Sequence, residues 1–116
     1  MRLEENGYLL RIFIGEADKH KGKLLYEWLV IQAREAGLAG ATVLRGIMGF
    51  GPSSRIQTGK ILALSEDMPV VVEIVDSKEN LEAYLARVES AIGEGLVTLE
   101  KATVKLYRGR SEPSNS

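Results

Sequence analysis

Cysteine is absent from the 116 residues, which excludes disulfides, thiolate metal sites and cysteine nucleophiles together. Histidine occurs once, at His20, so a conventional zinc site would need several carboxylates to complete its shell. No Gly-x-Ser-x-Gly elbow is present, and His20 is the sole imidazole available as a general base. Charge of one sign is not in excess: fifteen Lys and Arg against sixteen Asp and Glu leave a net charge of −1. That lacks the basic surplus of a dedicated nucleic-acid binder. Uncharged stretches are only strand-sized, so no segment reads as a bilayer-spanning helix. The start, Met1 to Tyr8, is charged and carries no secretory hydrophobic region. A small soluble domain, expected in the cytoplasm, is what these absences leave. Hydrophobic residues at 45% and charged residues at 27% are ordinary for a globular chain. Residues 1–108 read as one domain and 109–116 as a polar, fraying tail ending in Ser-Asn-Ser.

What is present falls into a clear order. Tyr8 to Ile14 is rich in aromatic and β-branched residues and reads as a strand closed by Gly15. The polar, glycine-bounded stretch Gly15–Gly22 reads as a loop. Leu25, Trp28, Leu29, Gln32, Ala33 and Ala36 then recur at helical spacing, with Gly37 as the stop. Ala41 to Met48 is a second extended run. The longest loop candidate follows, Gly49–Lys60, with three glycines, a proline, two serines and a threonine. Ile61 to Leu64 reads as a short strand, and Val70 to Val75 as a strongly β-branched one. Asp76, with Glu79 three residues on, has the pattern of a capping box. Leu81, Tyr84, Leu85, Val88 and Ile92 make the stripe of a second helix that Gly93-Glu94-Gly95 ends. Leu96 to Tyr107 is the last strand, with a break near Glu100-Lys101.

The order β-α-β-β-α-β predicts an α+β, ferredoxin-like fold: a four-stranded antiparallel sheet with two helices on one face. Both faces of its strands are apolar. Val70, Val72 and Ile74 oppose Val71, Glu73 and Val75, while Leu10, Ile12 and Ile14 oppose Leu9, Arg11 and Phe13. A sheet wet on one side should alternate apolar and polar cleanly. The uncovered face therefore reads as an association surface, and a closed homo-oligomer satisfies it.

Few residues suggest catalysis, and no enzyme activity is expected. His20 lies between Lys19 and Lys21, and Glu16 and Asp18 share its loop, which reads equally as solvated polar chain. The Val70–Val75 strand has no aromatic, so an RNA-stacking sheet is disfavoured and no nucleic-acid partner is expected. The glycines are more informative. Gly49-Phe50-Gly51 frees backbone amides to approach an anion, with Arg45, Arg55 and Lys60 beside it. A phosphate-bearing ligand suits that edge, and a plain turn suits it as well.

Gly37-x-x-Gly40-x-Thr42-Val43 followed by Gly49-Phe50-Gly51 resembles the second strand of nitrogen-regulatory PII (GlnB-like) proteins and the entry to their T-loop. Pro69 with Glu73-Ile74-Val75, and Gly93-Glu94-Gly95 before the last strand, extend the likeness from Tyr8 to Tyr107. The segments Gly15-Glu16-x-Asp18, Ala39–Gly46, Ser54-Arg55-Ile56 and Glu73–Asp76 resemble more closely a PII-like family of uncharacterised bacterial and archaeal proteins. The resemblance implies a homotrimer that holds an adenine nucleotide in inter-subunit clefts and presents the 49–60 loop to a protein partner such as a membrane transporter or channel. Carried over, it marks Thr42, Gly49, Phe50, Gly51, Gly93 and Gly95 as ligand contacts. Arg45 and Arg55 join them as phosphate partners on chemical grounds. Ala91-Ile92 and Leu96 stand where PII proteins place phosphate-binding residues, which favours AMP or ADP over ATP with its metal ion. The rival readings are a divalent-metal-responsive trimer of the cation-tolerance type, using Glu16, Asp18 and His20, and a small phosphate-ester enzyme. The latter is opposed by a Gly15–Gly22 loop without arginine or asparagine.

Overall fold

Burial alternates along two nine-residue strands and sets the architecture. A computed structural model describes residues 6–52, 57–58 (backbone only) and 67–109. Its elements run β1 (Gly7–Gly15), β2 (Lys19–His20), β3 (Lys23–Leu24), α1 (Leu25–Glu35), β4 (Thr42–Arg45), β5 (Met48–Gly49), β6 (Gln57–Thr58), β7 (Pro69–Ser77), α2 (Lys78–Val88), a 3-10 turn (Glu89–Ala91) and β8 (Leu96–Lys101). The main sheet has the order β4-β7-β1-β8 with every pair antiparallel, the ferredoxin-like arrangement.

One face of that sheet is the core. Leu10, Ile12 and Ile14 from β1 and Val70, Val72 and Ile74 from β7 are buried under both helices. Helix α1 contributes Leu25, Leu29 and Ala33, each four residues from the last, and α2 contributes Leu81, Tyr84 and Val88. Tyr84 ties the two helices together, its hydroxyl donating to the Leu29 carbonyl at 2.7 Å. Helix α1 stops at Gly37 as its pattern requires. There φ is 77°, and Leu38 N–H reaches back to the Ala33 carbonyl at 3.1 Å.

Four expectations are corrected by the structure. Asp76 is not the cap of α2; Ser77 is, with its Oγ accepting from Asn80 N–H at 3.2 Å. The cap must sit directly before the first helical residue, and Asp76 stands one place too early. Its buried carboxylate instead accepts from Ala39 N–H, Ser77 N–H and Asn80 Nδ2, joining the turn before β4 to the start of α2. The stretch 15–22 is not a plain loop, for β2 and β3 pair as a hairpin about Lys21-Gly22. Both turn residues have positive φ, 51° and 82°, the signature of a type I′ turn. The run from Ala41 to Met48 divides into β4 and β5, and β5 pairs with β6, so the long loop begins as a ribbon. The last strand ends at Lys101, and residues 102–107 run on outside any strand, with Ala102 N–H still donating to the Gly7 carbonyl at 2.9 Å. The short strand expected at 61–64, and residues 110–116 of the expected tail, lie outside the described residues.

The second face of the sheet is banded. Register aligns Leu44, Val71, Phe13 and Leu96 in one row across all four strands, and Leu44 and Leu96 are exposed. The neighbouring row is Thr42, Glu73, Arg11 and Thr98. Arg11 donates to Glu73 at 2.9 Å and to Glu100 at 2.8 Å, and the Glu73 bond is the foremost cause of its raised pKa. Beyond Lys101 the chain crosses toward the opposite edge, where Tyr107 Oη donates to the Ala39 carbonyl at 3.0 Å.

Burial raises the Tyr84 phenol far above its ordinary value. That contribution to stability is present in full below the ordinary phenol pKa and is lost as pH climbs past it, because the unfolded chain ionises first. Tyr84→Phe is expected to cost about 1 kcal/mol at neutral pH, read from urea unfolding. The gap between variant and wild type should close above about pH 10. A gap that stays constant with pH would contradict the buried, hydrogen-bonded phenol.

Candidate functional site

Pro69 organises one end of the main sheet. Gly46 N–H donates to its carbonyl at 2.7 Å, and β4 leaves the ladder at that point. The departing chain then folds against the proline ring. A Cβ at Gly46 would lie 2.9 Å from Pro69 Cγ, and one at Gly49 would lie 3.3 Å away. Both glycines thus have a packing reason, and Gly49 needs no ligand to explain it. The chain that follows is apolar and outward: Ile47, Met48 and Phe50 are 88%, 62% and 67% exposed. Phe50 does not plug the core.

Arg45, the last residue of β4, turns toward the loop after β1. Its Nε donates to Glu16 Oε1 at 2.9 Å, with side-chain exposures of 59% and 27%. The backbone holds Glu16 in place, since its N–H donates to the Met68 carbonyl at 2.7 Å. Nearby, Asp18 Oδ2 accepts from Gly15 N–H at 3.0 Å, and Asp67 Oδ1 accepts from Ala17 N–H at 3.1 Å. His20 packs on Trp28, ring centroids 4.4 Å apart. Glu16, Asp18 and His20 therefore face three different partners. Among the described residues no group of three or more His, Asp or Glu side chains is placed to hold a metal ion.

At the other edge, Gly95 is bound to the sheet by its lack of a side chain, for a Cβ there would lie 2.6 Å from the Phe13 carbonyl oxygen. Gly93 and Gly51 are different. Among the described residues nothing lies within 4 Å of a Cβ built on either, and neither has a left-handed φ. Packing does not explain these two glycines.

The expected site residues are thus partly gathered. Arg45, Gly49, Phe50 and Gly51 lie together beside β4, and Arg55, with Ser54, Ile56 and Lys60, lies outside the described residues. Gly93 and Gly95 lie beside β8, at the opposite edge of the sheet. Three strand spacings, about 14 Å, separate the two groups. Thr42 stands apart from Arg45 on the second face, paired with Glu73. It lines a cavity of about 580 Å³ between the sheet at Leu9 and Val75 and the crossing chain at Val104 and Leu106. Sequence reasoning missed this crossing segment, because the alternation of Val104 and Leu106 with Thr103 and Lys105 is equally that of a strand. It also missed Glu16 as the partner of Arg45. Nothing in spacing links residues 29 apart.

Residues 7–104 match the model of the DUF190 family, described as "Uncharacterized ACR, COG1993". A UPF0166 protein of Aquifex aeolicus (strain VF5) is 42% identical over 96 residues, which is 83% of this chain and 90% of that protein. A UPF0166 protein of Methanocaldococcus jannaschii is 33% identical over 104 residues, 89% of this chain and 94% of that one. Among solved structures, CPII of Thiomonas intermedia K12, bound to ADP and bicarbonate, shares the fold with a TM-score of 0.65 at 19% identity. The match covers 88% of this chain and 94% of CPII. The divalent ion tolerance protein CutA1 of Ehrlichia chaffeensis gives a TM-score of 0.58 at 8% identity, covering 87% and 85%. A second CPII structure is of a nitrogen regulatory PII-like protein bound to ADP, AMP and bicarbonate. Family and fold thus agree with the glycine and threonine-valine motifs of the sequence: the chain belongs to the DUF190 family and has the fold of the PII-like proteins.

Proposed function

We propose that this protein is a PII-like regulator. It assembles as a homotrimer, binds AMP or ADP between subunits and presents the 49–60 loop to a protein partner. The observation that carries the reading is the division of the candidate residues between opposite sheet edges. A ring of three subunits with the second face turned inward brings the β4 edge of one copy beside the β8 edge of the next. The cleft at that junction would take Thr42, Arg45, Gly49, Phe50, Gly51 and Arg55 from one subunit, and Gly93 and Gly95 from its neighbour. The same ring buries the row Leu44–Val71–Phe13–Leu96. Gly51 and Gly93, which packing leaves unexplained, are the positions where bare backbone best serves a phosphate. The solved structures of CPII with ADP and AMP add support from a protein of the same fold.

The exposed Ile47, Met48 and Phe50 at the root of the ribbon suit a loop read by a partner. A membrane transporter or channel is the partner class in view. Nucleotide at the base of the loop would bias its conformation by the difference in affinity between its states.

Light scattering should return a mass of three copies of the 12.7 kDa chain. Phe13→Lys, in the middle of the apolar row, should shift that mass toward the single chain, and a monomeric wild type would contradict the assembly. For the site, Arg45→Ala and Arg55→Ala are each expected to weaken AMP and ADP binding about ten- to a hundredfold in calorimetry, the worth of one charge-assisted phosphate contact. Adenosine, which lacks phosphate, should bind all three proteins alike. AMP affinity unchanged in both variants would remove the phosphate assignment.

A further inference from the structure

The ion pair between Arg45 and Glu16 bears on which nucleotide the proposed site would accept. We infer that Glu16 competes with the ligand's phosphate for the Arg45 guanidinium and sets the site against nucleotides of higher phosphate charge. The inference rests on the nucleotide reading above and assigns its charge selectivity to one side chain. Arg45 Nε already donates to Glu16 Oε1 at 2.9 Å, so a phosphate can take that donor only by displacing the carboxylate. Displacement does not carry the charge far. Glu16 N–H is fixed on the Met68 carbonyl, and the flanking turn is held by Asp18 on Gly15 N–H and Asp67 on Ala17 N–H. Those contacts keep three carboxylates, those of Glu16, Asp18 and Asp67, around the turn that faces Arg45. The Glu16 side chain is only 27% exposed, so bulk salt screens it less than a free surface charge. Each further phosphate on the ligand adds negative charge next to that turn, and like-charge juxtaposition is costly when partly desolvated.

The test is a set of titrations with AMP, ADP and ATP, by calorimetry in buffer free of divalent metal. The proteins are wild type, Glu16→Gln, Arg45→Ala and the double variant. Gln keeps the shape of Glu and removes its charge. Glu16→Gln is expected to tighten AMP about two- to fivefold, the scale of an exposed ion pair that no longer has to be broken. The gain should grow from AMP to ADP to ATP, so that the preference for the smaller nucleotides narrows. In the Arg45→Ala background the AMP gain should vanish, because competition for that guanidinium is gone. A gain of equal size for all three nucleotides, or no gain, overturns the role of Glu16 while the nucleotide reading stands. Absence of binding by every protein and nucleotide overturns that reading and the inference with it.

Discussion

Two eleven-residue helices can cover only one face of a four-stranded sheet, and in this chain the other face carries an apolar row as well. The covered face holds the core, closed internally by the Tyr84–Leu29 hydrogen bond. The other carries the row Leu44–Val71–Phe13–Leu96 beside a polar row in which Arg11 is held between Glu73 and Glu100. This imbalance is the constraint from which the functional reading grows. A banded face with a charged network beside an apolar stripe suits packing in one register against another copy, since misaligned charges would be desolvated without partners. In the proposed assembly the same packing would bring together the glycine turns beside β4 and β8, which lie at opposite edges of the sheet.

Around Pro69 the same economy of space shapes the candidate site. The proline ring leaves no room for a side chain at Gly46 and little at Gly49, and the chain then leaves the sheet as a ribbon with its apolar side chains outward. Arg45 is the last residue before that departure, so its guanidinium stands where sheet, ribbon and the loop after β1 converge. A ligand at this point would touch three elements at once. That position makes a small charge such as Glu16 consequential.

Much of the fold was legible in the sequence because its signals are local. The β-branched run at Val70–Val75, the spacing of Leu25, Leu29 and Ala33, and the glycine stop at Gly37 each depend on neighbours a few residues away. Errors arose where one residue decides between two local solutions. Asp76 and Ser77 are both good caps, and only the end of the strand ladder selects Ser77. Lys21-Gly22 hid a hairpin because lysine is uncommon at positive φ. The site was legible as a set of residue types but not as a place. Gly49 and Gly95 have close neighbours that leave little room for a side chain, which spacing alone does not show, and the Glu16–Arg45 pair and the crossing of the chain at 102–107 are long-range facts that no spacing encodes.

The central claim is that each site is completed by two subunits, one giving its β4 edge and the other its β8 edge. Mixing two defective proteins measures this directly. One carries Arg45→Ala; the other carries Gly93→Asp, which sets a carboxylate where the phosphate would lie. Each alone should bind AMP poorly. Unfolded together in equal amounts and refolded, they should recover wild-type affinity at about one quarter of the sites, since a sound β4 edge meets a sound β8 edge by chance in that fraction of junctions. Recovery of no sites at all would mean that each site lies within a single chain, and the account would be wrong.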